Sequence, residues 1–163
     1  MTKEKNNDKA LREHLLYLLQ GGGAHAPFDD VVKDMPERFR GIKPEKFPHS
    51  AWMLLEHLRI TQRDILEFSR NPKYVAPAWP KDYWPESESP PNAAAWDKSV
   101  QQFKKDLKAM QDLVSDPKTD LFARIPWGED QTILREALLV ADHNAYHLAQ
   151  FVDVRRMLGA WKG

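Results

Sequence analysis

The sequence contains no cysteine. This absence excludes a disulfide-stapled scaffold, a zinc site built from thiolates and a cysteine nucleophile. An excess of charge of either sign is lacking too, because 24 Lys and Arg residues balance 24 Asp and Glu residues. Balanced charge argues against a nucleic-acid or anionic-membrane binder, which normally carries a basic excess or stripe.

Long apolar runs are absent as well. No segment approaches the roughly 20 apolar residues of a membrane span. The charged start MTKEKNNDKA also lacks the apolar stretch of a signal peptide. We therefore expect a cytoplasmic protein without a membrane partner. A chain of 163 residues is long enough for one domain with a real core, and we expect that domain to cover residues 1–163.

Helical periodicity is present, whereas strand alternation is not visible. Apolar residues recur with a period of 3.6 in four long segments. These segments predict helices over about 8–20, from near Pro48 to about 69, over about 93–115, and from Asp130 or Thr132 to about 158. A shorter helical turn is predicted after Pro27. Together the segments predict an all-α four-helix bundle.

Residues 70–92 have a different composition from the rest of the chain. They hold six of the 12 prolines, together with Trp79, Tyr83 and Trp84. Because proline removes a backbone donor and fixes φ, this segment is neither a helix nor a central strand. It predicts a long Pro- and Trp-rich crossover loop between the second and third long helices, long enough to let those helices run parallel.

His143 and His147 are the first candidates for metal ligands. At i,i+4 on one helix, their two imidazoles can reach one ion, and neutral imidazole suits zinc, nickel, copper and iron(II). Glu136 and Gln150 extend the same strip, which borders apolar positions and so faces the interior. Either a metal occupies this strip, with Gln150 or Glu136 orienting a ring, or a plain hydrogen-bonded network does.

A third ligand should come from another helix, and His57 is the best candidate. It lies in the middle of the second long helix, with Thr61 and Asp64 following on the same face. Three histidines from two helices would leave open metal positions, which is the pattern of catalytic sites. The alternative for His57 is a hydrogen-bonded core histidine without a metal.

Three stretches of the chain resemble the DinB/YfiT-like family of the DinB superfamily. They are LREHLLYLLQGGGAHAPFDDVV (11–32), HSAWMLLEHLRITQRDILEFSRNP (49–72) and ADHNAYHLAQFVDVRRMLG (141–159). That family consists of four-helix bundles that bind a divalent metal through three histidines. The D-H-x3-H-x2-Q run from Asp142 to Gln150 is its most specific motif here, and Ala149 stands where many members have Gly. The resemblance implies His57, His143 and His147 as the ligands.

The resemblance also implies a function. Some members of the family are transferases or isomerases that use the metal to activate a low-molecular-weight thiol. We therefore expect a metal-dependent transferase or hydrolase that activates a thiol cosubstrate or water, with zinc or nickel as the metal. Glu136 and Asp64 are candidates for a general base. A non-catalytic, metal- or ligand-binding stress-response bundle is the alternative. Related bundles commonly form homodimers, and we expect one here.

Other residues are lower-ranked candidates for the site. His25 is a candidate fourth ligand or substrate contact if the first helix continues through Gly21–Gly23. Trp79 and Trp84 are candidates to line an apolar pocket over the open side of the metal. His14 and His49 are expected at the surface or at helix ends.

Overall fold

A computed structural model describes residues 3–21 and 23–162, and it is all-helical within them. The described residues form no strand, and Arg124 and Thr132 make an isolated bridge. Short 3-10 turns lie at Glu37–Phe39 and Lys81–Tyr83. The helices are α1 (Lys3–Gln20), α2 (Phe28–Val32), α3 (Ala51–Arg70), α4 (Ala93–Ser115) and α5 (Ile133–Met157).

Side-chain caps determine where the longer helices begin. Ser50 accepts from the backbone N–H of Met53 at the start of α3, so that helix begins three residues after the predicted Pro48. Asn92 caps α4 and Thr132 caps α5 in the same manner. At the other end of α5, Gly159 adopts a φ of 63°, a left-handed conformation that glycine accepts without strain.

The helix α1 begins earlier than predicted and ends at the predicted residue. It begins at Lys3. Its first turns are polar and show no apolar stripe in the sequence, which is why the predicted start lay further along the chain. It ends at Gln20 and does not continue through the glycines, since Gly21 has a φ of 70°. Gly22 lies outside the described residues.

The helices pack around two apolar clusters. α1 and α3 each contact both α4 and α5. One cluster surrounds Trp52, Phe103 and Phe151, and the other surrounds Leu66 and Met110. Along α3 and α5, a buried polar layer that includes Gln62 and Asn144 falls between the two clusters.

Gln62 joins three helices within this polar layer. Its side chain is fully buried; it donates to the Phe103 carbonyl at 2.7 Å and accepts from the Asn144 amide at 2.9 Å. We expect Gln62→Leu to lower the free energy of unfolding by about 2 kcal/mol, because it leaves the buried Asn144 donor without a partner. Gln101→Leu, at an exposed position of α4, is the matched control and should change stability by less than about 0.5 kcal/mol. Urea unfolding of both variants measures the difference, and equal effects would contradict this role for Gln62.

α3 and α4 run in the same direction. Glu56 accepts from Ser99, Gln62 bonds the carbonyl of Phe103, and Arg63 lies 4.0 Å from Asp106, so the partners advance together along both helices. The connection over residues 71–92 must therefore return along the length of α3, which is about 30 Å for 20 residues.

Within the described residues, no helix is apolar over a length that would cross a membrane.

Candidate metal centre

The structure brings His57, His143 and His147 together in the interior. α3 carries His57, and α5 carries the other two, one turn apart on the side that faces α3. His57 is 3% exposed and His147 is 9% exposed, whereas His143 is half-buried. The Nε2 atom of His57 lies 3.1 Å from the Nε2 atom of His143 and 3.1 Å from that of His147. Within the described part of the chain, these three form the one group of at least three side chains that could hold a metal ion.

In two of these rings, the Nδ1 atom contacts a carbonyl oxygen outside the group of three histidines. The Nδ1 atom of His57 lies 2.8 Å from the backbone carbonyl oxygen of Tyr83. The Nδ1 atom of His147 lies 2.8 Å from the side-chain oxygen of Gln150. The Nδ1 atom of His143 is buried and has no hydrogen-bond partner among the described residues. Carbonyl partners of this kind fix ring orientation at metal sites.

The hydrogen bond to Tyr83 determines the tautomer of His57. Because a carbonyl only accepts, the proton of neutral His57 sits on Nδ1, and its Nε2 atom carries only a lone pair. That single lone pair can accept from either His143 or His147, but not from both. At least one contact of 3.1 Å therefore joins two ring nitrogens that no hydrogen bond links, unless a cation lies between them.

A divalent metal ion fits this donor set. Two imidazole nitrogens bound tetrahedrally at about 2.0–2.1 Å from zinc lie roughly 3.3 Å apart, close to the separation of 3.1 Å found here. Imidazole nitrogen is a ligand that zinc, copper, iron and nickel all accept. The set consists of imidazoles alone, so it does not distinguish between these metals.

The three rings are held in the uncharged form that a metal requires. Burial lowers the pKa of His57 to about 4, although the Tyr83 carbonyl opposes that shift. Burial and the neighbouring His147 and His57 lower the pKa of His143 to about 3. Burial likewise lowers the pKa of His147, against the effect of Gln150. Near neutral pH all three imidazoles therefore have lone pairs available.

Trp84 of the crossover loop forms one wall of the centre. Its ring stacks on His57 at 3.9 Å with an interplanar angle of 1°, stacks on His49 at 4.1 Å, and meets His147 edge to face at 6.1 Å. His49 is half-buried and directly precedes the Ser50 cap, so it lies at a helix end as expected, and the stacking on Trp84 is an additional contact. Sequence reasoning missed this stack because a proline-rich loop has no periodicity from which to derive its neighbours.

Trp79 and His25 lie away from the three histidines. Trp79 is 73% exposed and meets Tyr83 edge to face, so it does not line the centre as Trp84 does. His25 is exposed, and its Nδ1 atom lies 3.0 Å from the carbonyl of Ala26. It does not belong to the group of three, because α1 ends before the glycines.

The remaining polar candidates have separate partners. Glu136 is buried and pairs with Arg135 at 2.6 Å, so of the predicted strip only Gln150 contacts a histidine of the group. Asp64 accepts a hydrogen bond from the Tyr83 hydroxyl at 2.7 Å. Helical spacing predicted that Asp64 lies on the same face of α3 as His57, but it did not predict the hydrogen bond from Tyr83.

Comparison with known proteins gives one match. No curated protein matches the chain, and no solved structure does. A sequence model of the DinB superfamily matches residues 23–151, most of the 163-residue chain and a range that includes all three histidines. This chain belongs to the DinB superfamily.

Proposed function

We propose that His57, His143 and His147 hold a divalent metal ion in a metal-dependent enzyme of the transferase or hydrolase type. The observation that carries this proposal is the meeting of three Nε2 atoms while the Nδ1 proton of His57 is directed at a carbonyl. The four long helices would form the four-helix bundle of the family, with residues 1–163 as one domain.

The protein's own residues have distinct parts in this proposal. The three histidines bind the metal, and Tyr83 and Gln150 hold two of their rings in orientation through Nδ1. Trp84 covers one face of His57 and keeps water from it. When bound, a divalent metal lowers the pKa of a coordinated thiol or water and so supplies a nucleophile near neutral pH. Because the chain has no cysteine, any thiol must be a cosubstrate.

Cobalt(II) substitution tests the proposal. We expect an added low-molecular-weight thiol, such as 2-mercaptoethanol, to produce a sulfur-to-cobalt absorption band in the cobalt-loaded protein. The band can come only from the added thiol, since the protein contains no cysteine. 2-Methoxyethanol is the matched control without sulfur and should give no band. A cobalt spectrum that neither thiol nor azide alters would argue against an open metal position and so against catalysis.

A non-catalytic metal-binding protein is the second candidate. Tyr83 and Trp84 cover His57, and cavities of about 300 Å³ and 610 Å³ open elsewhere, beside Arg40 and beside Trp161. A closed site with stable metal and no response to thiol or azide would favour this candidate.

A further inference from the structure

Two consecutive loop residues contact His57. The carbonyl oxygen of Tyr83 accepts from the Nδ1 atom of His57 at 2.8 Å, and the ring of Trp84 stacks on the same imidazole at 3.9 Å. Tyr83 is the last residue of the three-residue 3-10 turn Lys81–Tyr83, too short an element to fix the position of its carbonyl by itself. Something outside the local backbone must keep this part of the loop against α3.

The side chain of Tyr83 provides that attachment. Tyr83 is 8% exposed, and its hydroxyl donates to the Oδ2 atom of Asp64 at 2.7 Å. Burial and Asp64 both raise the pKa of the Tyr83 phenol, so the hydroxyl keeps the proton that it donates. Asp64 follows His57 by seven residues on α3, which places it about 10 Å further along the helix axis. One residue therefore bridges His57, through its carbonyl, and Asp64, through its hydroxyl.

We propose that Asp64 and Tyr83 act as a pair of positioning residues for the metal centre. Their hydrogen bond holds the Tyr83 carbonyl against His57, and that carbonyl keeps the proton of His57 on Nδ1 and its Nε2 lone pair directed at His143 and His147. Outer partners of metal-binding histidines act in this way, and their loss typically lowers metal affinity about 10–100-fold. The inference rests on the proposed function for the metal, but the state of the His57 ring is measurable without any metal.

Nuclear magnetic resonance and zinc competition titrations test this pair. In the metal-free protein, we expect the Nδ1 proton of His57 to be observable and protected from exchange with solvent. Tyr83→Phe removes only the hydroxyl and should weaken that protection and lower zinc affinity about tenfold. Asp64→Leu should do the same, whereas Asp64→Asn keeps an acceptor oxygen and should restore most of both quantities.

The double variant of Tyr83→Phe and Asp64→Leu separates positioning from general stability. If the two residues act through one hydrogen bond, the double variant should lose no more zinc affinity than either single variant. Tyr74→Phe is the matched control. Burial and the nearby Asp64 carboxylate raise the pKa of Tyr74 to about 12, but the backbone of Tyr74 does not bond to His57. This control should leave the Nδ1 proton and zinc affinity unchanged.

The outcomes distinguish this inference from the proposed function. A protected His57 proton that survives both Tyr83→Phe and Asp64→Leu, with zinc affinity within twofold of the parent, would overturn the positioning role. An equal loss in Tyr74→Phe would also overturn it, because the effect would then not depend on the Tyr83 carbonyl. A parent protein that binds neither zinc nor nickel would defeat the proposed function, while the Nδ1 proton would still decide whether Asp64 and Tyr83 position His57.

Discussion

Replacing both His143 and His147 by alanine is expected to abolish binding of divalent metal. The parent protein, purified without an affinity tag or chelator, should carry about one metal ion per chain, and the variant essentially none. Two of the three ring nitrogens that converge in the interior would be missing. Removing direct ligands should cost more than the 10–100-fold affinity loss typical of their outer partners. Elemental mass spectrometry of both proteins measures the metal content.

A second pair of histidines provides the control for this experiment. His14 and His25 are exposed and do not belong to the buried group. Replacing both by alanine removes the same number of imidazoles and should leave metal content unchanged. If the parent contains no metal and takes up neither zinc nor nickel, the metalloenzyme proposal is wrong. The buried histidines would then be a polar network, with a proton shared between ring nitrogens.

Arg155→Met is expected to lower the free energy of unfolding by roughly 3 kcal/mol, because it leaves several buried backbone carbonyls without a hydrogen-bond donor. Arg155 is 4% exposed, and its guanidinium donates to the backbone carbonyls of Val31 at 2.6 Å, Lys33 at 2.9 Å and Ala160 at 2.8 Å. These hydrogen bonds connect α5 to the end of α2 and to the residues that follow α5. Methionine matches the length of the arginine stem but offers no donor to these carbonyls.

The neighbouring arginine provides a matched control. Arg156 is 62% exposed in its side chain and contacts Asp153 at 3.3 Å. Arg156→Met should change the free energy of unfolding by less than about 0.5 kcal/mol. Urea denaturation monitored by circular dichroism compares the two variants. Similar small changes in both would show that the carbonyls around Arg155 find other donors or water.

Local sequence signals predicted the helices well where an apolar stripe and a terminating residue coincide. The stripe that includes Trp96, Phe103 and Met110, with Pro117 after it, predicted a helix over 93–115. The structure confirms that range as α4. The start of α1 was missed by several residues because its first turns are polar and add nothing to an apolar stripe.

The candidate site could be predicted only in part. His143 and His147 are close in the sequence, so helical spacing alone places them together. Adding His57 required a contact across about 90 positions, and that choice depended greatly on the family resemblance. The structure brings the three rings together, but their role as ligands remains a prediction. Trp84 was a candidate to line the site, but its stacking on His57 and the contact of the Tyr83 carbonyl could not be predicted, because the neighbours of a loop depend on the whole fold.

Because α3 and α4 are parallel, the metal-binding histidines and the groups that cover them come from different parts of the chain. The helices hold the histidines at fixed spacing, whereas the returning segment over residues 71–92 supplies the covering groups, among them Trp84. Apart from Tyr83, which bonds to His57, residues of that segment can be substituted to remodel the approach to the centre without removing its ligands. Exchanging this segment between members of the superfamily is thus a natural way to engineer new selectivity.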